Sequence, residues 1–273
     1  MKRPFFRLTT CLVACLTALL SACLPGSPFT NKHIRAKTFF TGHYLLMAQA
    51  IEQNNMVQLK QLARGQDLSQ KGEQDMDLMW FAIARENFDA IRTLVELGVD
   101  PEKQPADGLG TALGFAFMKP GDTRYLEAML DGGLSPNYSD SPPPMLHRGV
   151  AGGLAHVKLL LQRGTRLDDR TPNVRRTALL AAISRVKPDV AIYLLQQGAD
   201  FNAYTAGGVT PAWAVYLQVK DRQPGHPIHT QFLALRDLMI EKGAKWPPDS
   251  PLEVRDQMRV RGETPVVPYG HTR

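Results

Sequence analysis

Hydrophobic residues along this chain fall in short bursts at helical spacing, two bursts to a unit, and the second burst of each unit ends on a glycine. The stretch TALLAAISRVKPDVAIYLLQQGADFN, Thr177 to Asn202, shows the plan. Leu179, Ala182 and Ile183 share one face of a first helix, while Val190, Ile192, Leu194 and Leu195 supply a second. A glycine suits the end of such a helix, because a left-handed terminal residue escapes steric penalty only when it lacks a Cβ. Behind it, Gly-Ala-Asp-x-Asn turns the chain, since Asp and Asn side chains bond nearby backbone groups.

The closing phrase recurs as LARGQDLS, LVELGVDP, LDGGLSPN, LQRGTRLD and IEKGAKWP. Its glycines are Gly65, Gly98, Gly133, Gly164, Gly198 and Gly243, spaced by 33, 35, 31, 34 and 45 residues. A unit of about 33 residues therefore runs through the chain, with an insertion in the last interval. Helices shorter than about 12–15 residues are marginal alone in water, so each hairpin must gain its order by stacking on the next.

Each first helix also opens in a recurring way: TALGFA at Thr111, TALLAA at Thr177 and TPAWAV at Thr210 begin on a capping threonine, DLMWFA on Asp77, and PMLHRG carries His147. Together with the glycine-aspartate finger, these phrases resemble the ankyrin repeat over about residues 44–247, most strongly over 77–202. The resemblance implies an all-α ankyrin-repeat solenoid of about six helix-turn-helix units with finger-like turns, occupying residues 41–248. It also implies that His147 bonds between repeats. Tetratricopeptide-type hairpins share the helical pairing but lack the glycine-aspartate finger at this period.

The ends read differently. Lys2, Arg3 and Arg7 precede an apolar run from Leu8 to Leu20, too short for a comfortable membrane span of roughly 20 residues, and this pattern is that of a secretory leader over residues 1–22. Leu20-Ser21-Ala22-Cys23 resembles the bacterial lipobox, which implies lipidation of Cys23. Leu24 follows it, where inner-membrane retention would favour Asp, so the resemblance implies attachment to the outer membrane, facing the periplasm. Residues 23–40 then read as the lipidated cysteine and a flexible tether. At the other end, 249–273 reads as a cap, with one helix around Leu252 to Val260, and a tail frayed or draped along the last repeat. The insertion at 221–231 contains Pro224, Gly225 and Pro227 and reads as a surface loop.

Cys11, Cys15 and Cys23 are the three cysteines, so the expected folded body has no thiol and no disulfide. The formal charge of +6 falls to +3 once the leader's three basic residues are removed, which is not the dense basic stripe of a nucleic-acid binder. His226 and His229 have a spacing two metal ligands could use, but zinc wants three or four, and a solvated loop explains them. Asp168 and Asp169 read as turn residues, and Met47, Met56, Met76, Met79, Trp80 and Phe81 as core between the first two units. No nucleophile elbow, phosphate loop or metalloprotease helix occurs, so we expect no enzyme, metal, cofactor, small-molecule substrate or nucleic acid.

What remains is a protein partner, met on the side formed by fingers and first helices. The finger positions carry Tyr138 and Asp140, then Asp169 and Arg170 with Arg175 and Arg176, then Tyr204. Tyr and Arg are favoured at interface hot spots because they join contact area to directed hydrogen bonds. The likeness to repeat lipoproteins of Gram-negative bacteria implies a membrane-anchored immunity protein that blocks a toxic effector, such as a phospholipase delivered by type VI secretion. An envelope adaptor or assembly factor gripping a resident periplasmic protein is the alternative.

Overall fold

The computed structural model describes residues 34–106, 110–139 and 142–267. The expected leader, Cys23, the tether as far as residue 33, and Asp140 lie outside the described residues. Fourteen α-helices occur among the described residues, and none is long and apolar enough to cross a membrane. Contacts divide the described chain into two compact bodies, 34–119 with 124–134 and 120–123 with 135–267.

In the first body a short α1 (Ala36–Phe39) leads into three helix pairs. These are α2 (Gly42–Glu52) with α3 (Met56–Leu62), α4 (Leu78–Ala84) with α5 (Phe88–Glu96), and α6 (Ala112–Ala116) with α7 (Arg124–Asp131). First helices α2, α4 and α6 touch in succession, and second helices α3, α5 and α7 do the same, giving two layers with the apolar faces between them. Met47, Ile51, Leu59, Phe81, Ile91, Leu113 and Tyr125 are fully buried there. Met79 and Trp80 join this core as expected, whereas Met56 and Met76 are only half-buried. The finger after the second pair is an antiparallel ladder, β1 (Pro105–Ala106) with β2 (Gly110–Thr111), Pro105 facing Thr111.

The tether was expected to reach residue 40, and here the structure differs. Ala36 and Phe40 are buried, both Phe39 and Phe40 meet the Phe81 ring edge-on, and Arg85 Nη1 donates to the Ile34 carbonyl at 2.6 Å. Residues 34–40 therefore seal the apolar face that the first unit would otherwise expose, a need every terminal repeat has.

The second body repeats the two-layer plan with α8 (Met145–Gly152) and α9 (Leu154–Gln162), α10 (Ala178–Ser184) and α11 (Pro188–Gln196), and α12 (Pro211–Lys220) and α13 (Pro227–Glu241). A last helix, α14 (Pro251–Val260), forms where one was expected and opens on a reciprocal Ser250–Glu253 capping box. The expected loop at 221–231 shrinks to the residues between Lys220 and Pro227. Pro227 occupies the first helical position, where its missing N–H costs nothing, and His226 caps the helix through Nδ1, accepting from Ile228 N at 3.2 Å. His229 is buried, and residues 227–231 of the insertion belong to α13.

The capping chemistry follows the sequence. Thr111, Thr177 and Thr210 hydroxyls and the Asp77 carboxylate accept from the backbone N–H three residues on, at 2.9, 3.4, 3.1 and 2.7 Å. All six repeat glycines lie in the left-handed region, with φ from 69° at Gly65 to 103° at Gly133. Where the two helices of a pair join, the same backbone is imposed on Asn54, Glu86 and Val186, at φ 53°, 51° and 57°.

One role went unread in the sequence. His147 Nε2–H donates to the Asp169 carbonyl at 3.2 Å, linking a first helix to the finger beyond it, as expected. Trp80 stands at the equivalent place in DLMWFA, and its indole Nε1–H donates to the Gln104 carbonyl at 2.8 Å. An indole thus performs for the second unit what an imidazole performs for the fourth.

Candidate protein-binding surface

The fingers of the second body are stitched to one another by side chains on backbone. Asn137 Nδ2 donates to the Gly164 carbonyl at 3.1 Å, while its Oδ1 accepts from Arg166 N at 2.8 Å. Thr165 Oγ1 donates to the Pro136 carbonyl at 3.0 Å, and Asp200 N donates to Asp168 Oδ1 at 3.1 Å. Burial pushes the Asp168 carboxyl up from its ordinary value, a shift the Asp200 amide opposes. Asp200 Oδ1 in turn accepts from Asn202 N at 2.8 Å, which is the turn chemistry the Gly-Ala-Asp-x-Asn phrase calls for. Further along, Arg175 sits at φ 57° in a tip closed by Thr171 N donating to the Arg176 carbonyl at 3.0 Å.

This frame sorts the expected site residues into two groups. Tyr138, Asp169 and Arg170 line a hollow of about 240 Å³ with Pro142, Met145 and Pro172. Its rim carries an ion pair, Arg166 Nε donating to both Asp169 carboxylate oxygens at 3.0 Å. Arg170 also belongs to the second group, its guanidinium 5.9 Å from the centre of the Tyr204 ring, with Arg175 at 5.4 Å. Arg176 joins neither group; it is exposed, and burial, helped by its positive charge, holds the His147 imidazole below its ordinary pKa.

Two residues of the second group were missed by sequence reasoning. The tail returns to the fingers: Val266 N donates to the Ala206 carbonyl at 2.8 Å, and Ala206 N to that of Val174 at 2.9 Å. Glu263 is thereby set at the centre of the cluster. Its Oε1 accepts from Tyr204 OH at 2.6 Å and Arg261 Nε at 3.1 Å, and its Oε2 from Arg175 Nη1 at 3.1 Å. Arg261 places a third guanidinium 5.1 Å from the Tyr204 ring. Hydrogen bonds from Tyr204, Arg175 and Arg261 hold the Glu263 carboxyl down to about 2. Glu263 lies 59 and 88 positions from Tyr204 and Arg175, a separation that leaves no local mark in the sequence.

No group of three or more metal-ligating side chains occurs among the described residues. The finger surface offers aromatic faces, guanidinium groups and backbone edges, which is the chemistry of macromolecular contact.

No protein-family model matches the chain, and no curated protein matches it. Solved structures do. The ankyrin repeat domain of Bcl-3, a member of the IκB family, superposes with a TM-score of 0.54 over 77% of this chain and 92% of its own, at 21% identity. An ankyrin repeat domain from Acinetobacter baumannii AYE superposes with a TM-score of 0.51 over 73% and 98%, at 18% identity. The fold is thus the ankyrin-repeat fold, an all-α architecture.

Proposed function

We propose that this protein is an immunity protein, lipid-anchored through Cys23 on the periplasmic side of the outer membrane, that binds and blocks a toxic effector such as a phospholipase. The observation that carries the reading is the finger surface of the second body, where Tyr138, Asp169, Arg170, Arg175 and Tyr204 stand on a frame of backbone hydrogen bonds. A rigid frame spares the ordering cost of binding, and Arg and Tyr supply hot-spot contacts. The lipobox-like Leu20-Ser21-Ala22-Cys23 supports the address, since two or more acyl chains anchor durably. A tethered binder meets a membrane-attacking enzyme beside its substrate, and occlusion of the enzyme's cleft needs no catalytic group.

The test is co-expression with a lipase-like effector, sought among the genes neighbouring this one. Cells should survive with the intact chain and lose protection with Arg170→Glu and Tyr204→Ala combined; a purified chain that fails to bind the effector refutes the proposal. Cys23→Ala should shift the protein from the membrane to the soluble envelope fraction. An adaptor for a resident protein would instead show as an envelope defect on deletion in pure culture.

A further inference from the structure

We propose that Tyr204, Arg175 and Arg261 form a recognition site for an acidic side chain of the protein partner, and that Glu263 of the same chain fills that site while the partner is absent. The inference rests on the protein-binding reading above, but not on the partner being a toxin.

The site is built for a carboxylate, since each oxygen of Glu263 is met by a directed donor: the Tyr204 phenol and Arg261 on one, Arg175 on the other. It is also left with charge to spare. Arg175 and Arg261, both close to the Tyr204 ring, share the single carboxylate of Glu263, a formal surplus of one positive charge among these side chains. Guanidinium groups stacked on an aromatic face and facing a carboxylate are the geometry in which arginine outperforms lysine.

Glu263 is placed to yield. Its backbone is fixed by the end of α14, Glu263 N donating to the Met258 carbonyl at 2.9 Å, so its side chain alone must turn aside. The flanking tail adds little apolar hold, Val266 being 58% exposed and Val267 37%. The side chains of Arg175 and Glu263 are themselves 40% and 27% exposed, within reach of an incoming residue. An acid offered by a partner that gains further contacts across the neighbouring fingers then replaces an acid that gains none.

The experiment uses the intact chain and fluorescein-labelled hexaglutamate, read by anisotropy at physiological salt. Glu263→Ala should bind the peptide about tenfold or more tightly than wild type, because a competitor held in place acts at millimolar effective concentration. Glu263→Gln should show the same direction of change. Asp256→Ala removes an equal charge where it pairs with Arg259 and should give little gain. Adding Arg175→Ala to Glu263→Ala should abolish the gain. Equal binding by wild type and Glu263→Ala, or a gain indifferent to Arg175, overturns the proposal. If an effector binds wild type and Arg175→Ala alike, this assignment falls while the protein-binding reading stands; if no effector binds but hexaglutamate behaves as described, the toxin reading falls while this assignment stands.

Discussion

Replacing His147 by alanine should loosen the finger at residues 166–176 while leaving the helices around it in place. The imidazole is 6% exposed and donates from Nε2 to the Asp169 carbonyl, so its removal leaves a sheltered acceptor without its donor. Such an orphaned group costs about 1–3 kcal/mol, and a midpoint of about 2 kcal/mol corresponds to roughly thirty-fold faster local exchange. Hydrogen exchange followed by mass spectrometry should show this in peptides spanning the finger, and His147→Gln, which keeps an amide donor, should restore part of the protection. The pH dependence has a definite sign. Burial lowers the folded pKa of His147, Arg176 and Arg185 add to the shift, and the Asp169 hydrogen bond opposes it. The neutral ring is thus the folded form, and its contribution is present above the unfolded value of about 6.5 and lost as pH falls below it. Wild-type finger protection should therefore decline on acidification in a way the alanine variant does not. Equal exchange in the two proteins at neutral pH would refute the idea that this bond holds the finger.

Three further substitutions test the backbone and capping arguments. Val186 is a β-branched residue at φ 57° and 36% exposed, so Val186→Asn should stabilise the protein by about 1 kcal/mol in urea melts, the left-handed penalty for a residue with a Cβ being about 1–2 kcal/mol. Gly198 has φ 94° and open space where a Cβ would lie; Gly198→Ala should cost about 1–2 kcal/mol through the backbone alone, with Gly198→Asn costing less. Asp77 is fully buried with Oδ2 lacking a hydrogen-bond partner, and burial raises its pKa above the ordinary value. A raised acid penalises the folded state as pH climbs through the folded pKa, so Asp77→Thr, which keeps a capping oxygen, should gain about 1 kcal/mol at pH 7 and less near pH 4.

Much of the fold was legible because it depends on residues whose conformational demands are local. Gly65, Gly98, Gly133, Gly164, Gly198 and Gly243 mark left-handed helix ends, and Thr111, Thr177, Thr210 and Asp77 mark helix starts. Ile192, read as core, is half-exposed, which a one-face pattern cannot exclude in so short a helix. Pro227 was read as a breaker because its preference for a first helical position shows only once the capping His226 is seen beside it. Phe39 and Phe40 were assigned to a tether because only their meeting with Phe81 reveals them as a seal. Tyr204, Arg170 and Arg175 were found by repeat register, but that register says nothing about Glu263 and Arg261, which lie outside it and arrive by long-range contact.

The indole bond of Trp80 makes the molecule its own optical reporter. Trp80 is the tryptophan of the first body, buried and tied to the Gln104 carbonyl, while Trp213 and Trp246 both lie near Tyr216 in the second. With Trp80→Phe, residual emission would come from the second body alone, and with Trp213 and Trp246 both changed to Phe, from the first. Two such variants would reveal, in a single denaturation series, whether the halves melt in step or separately.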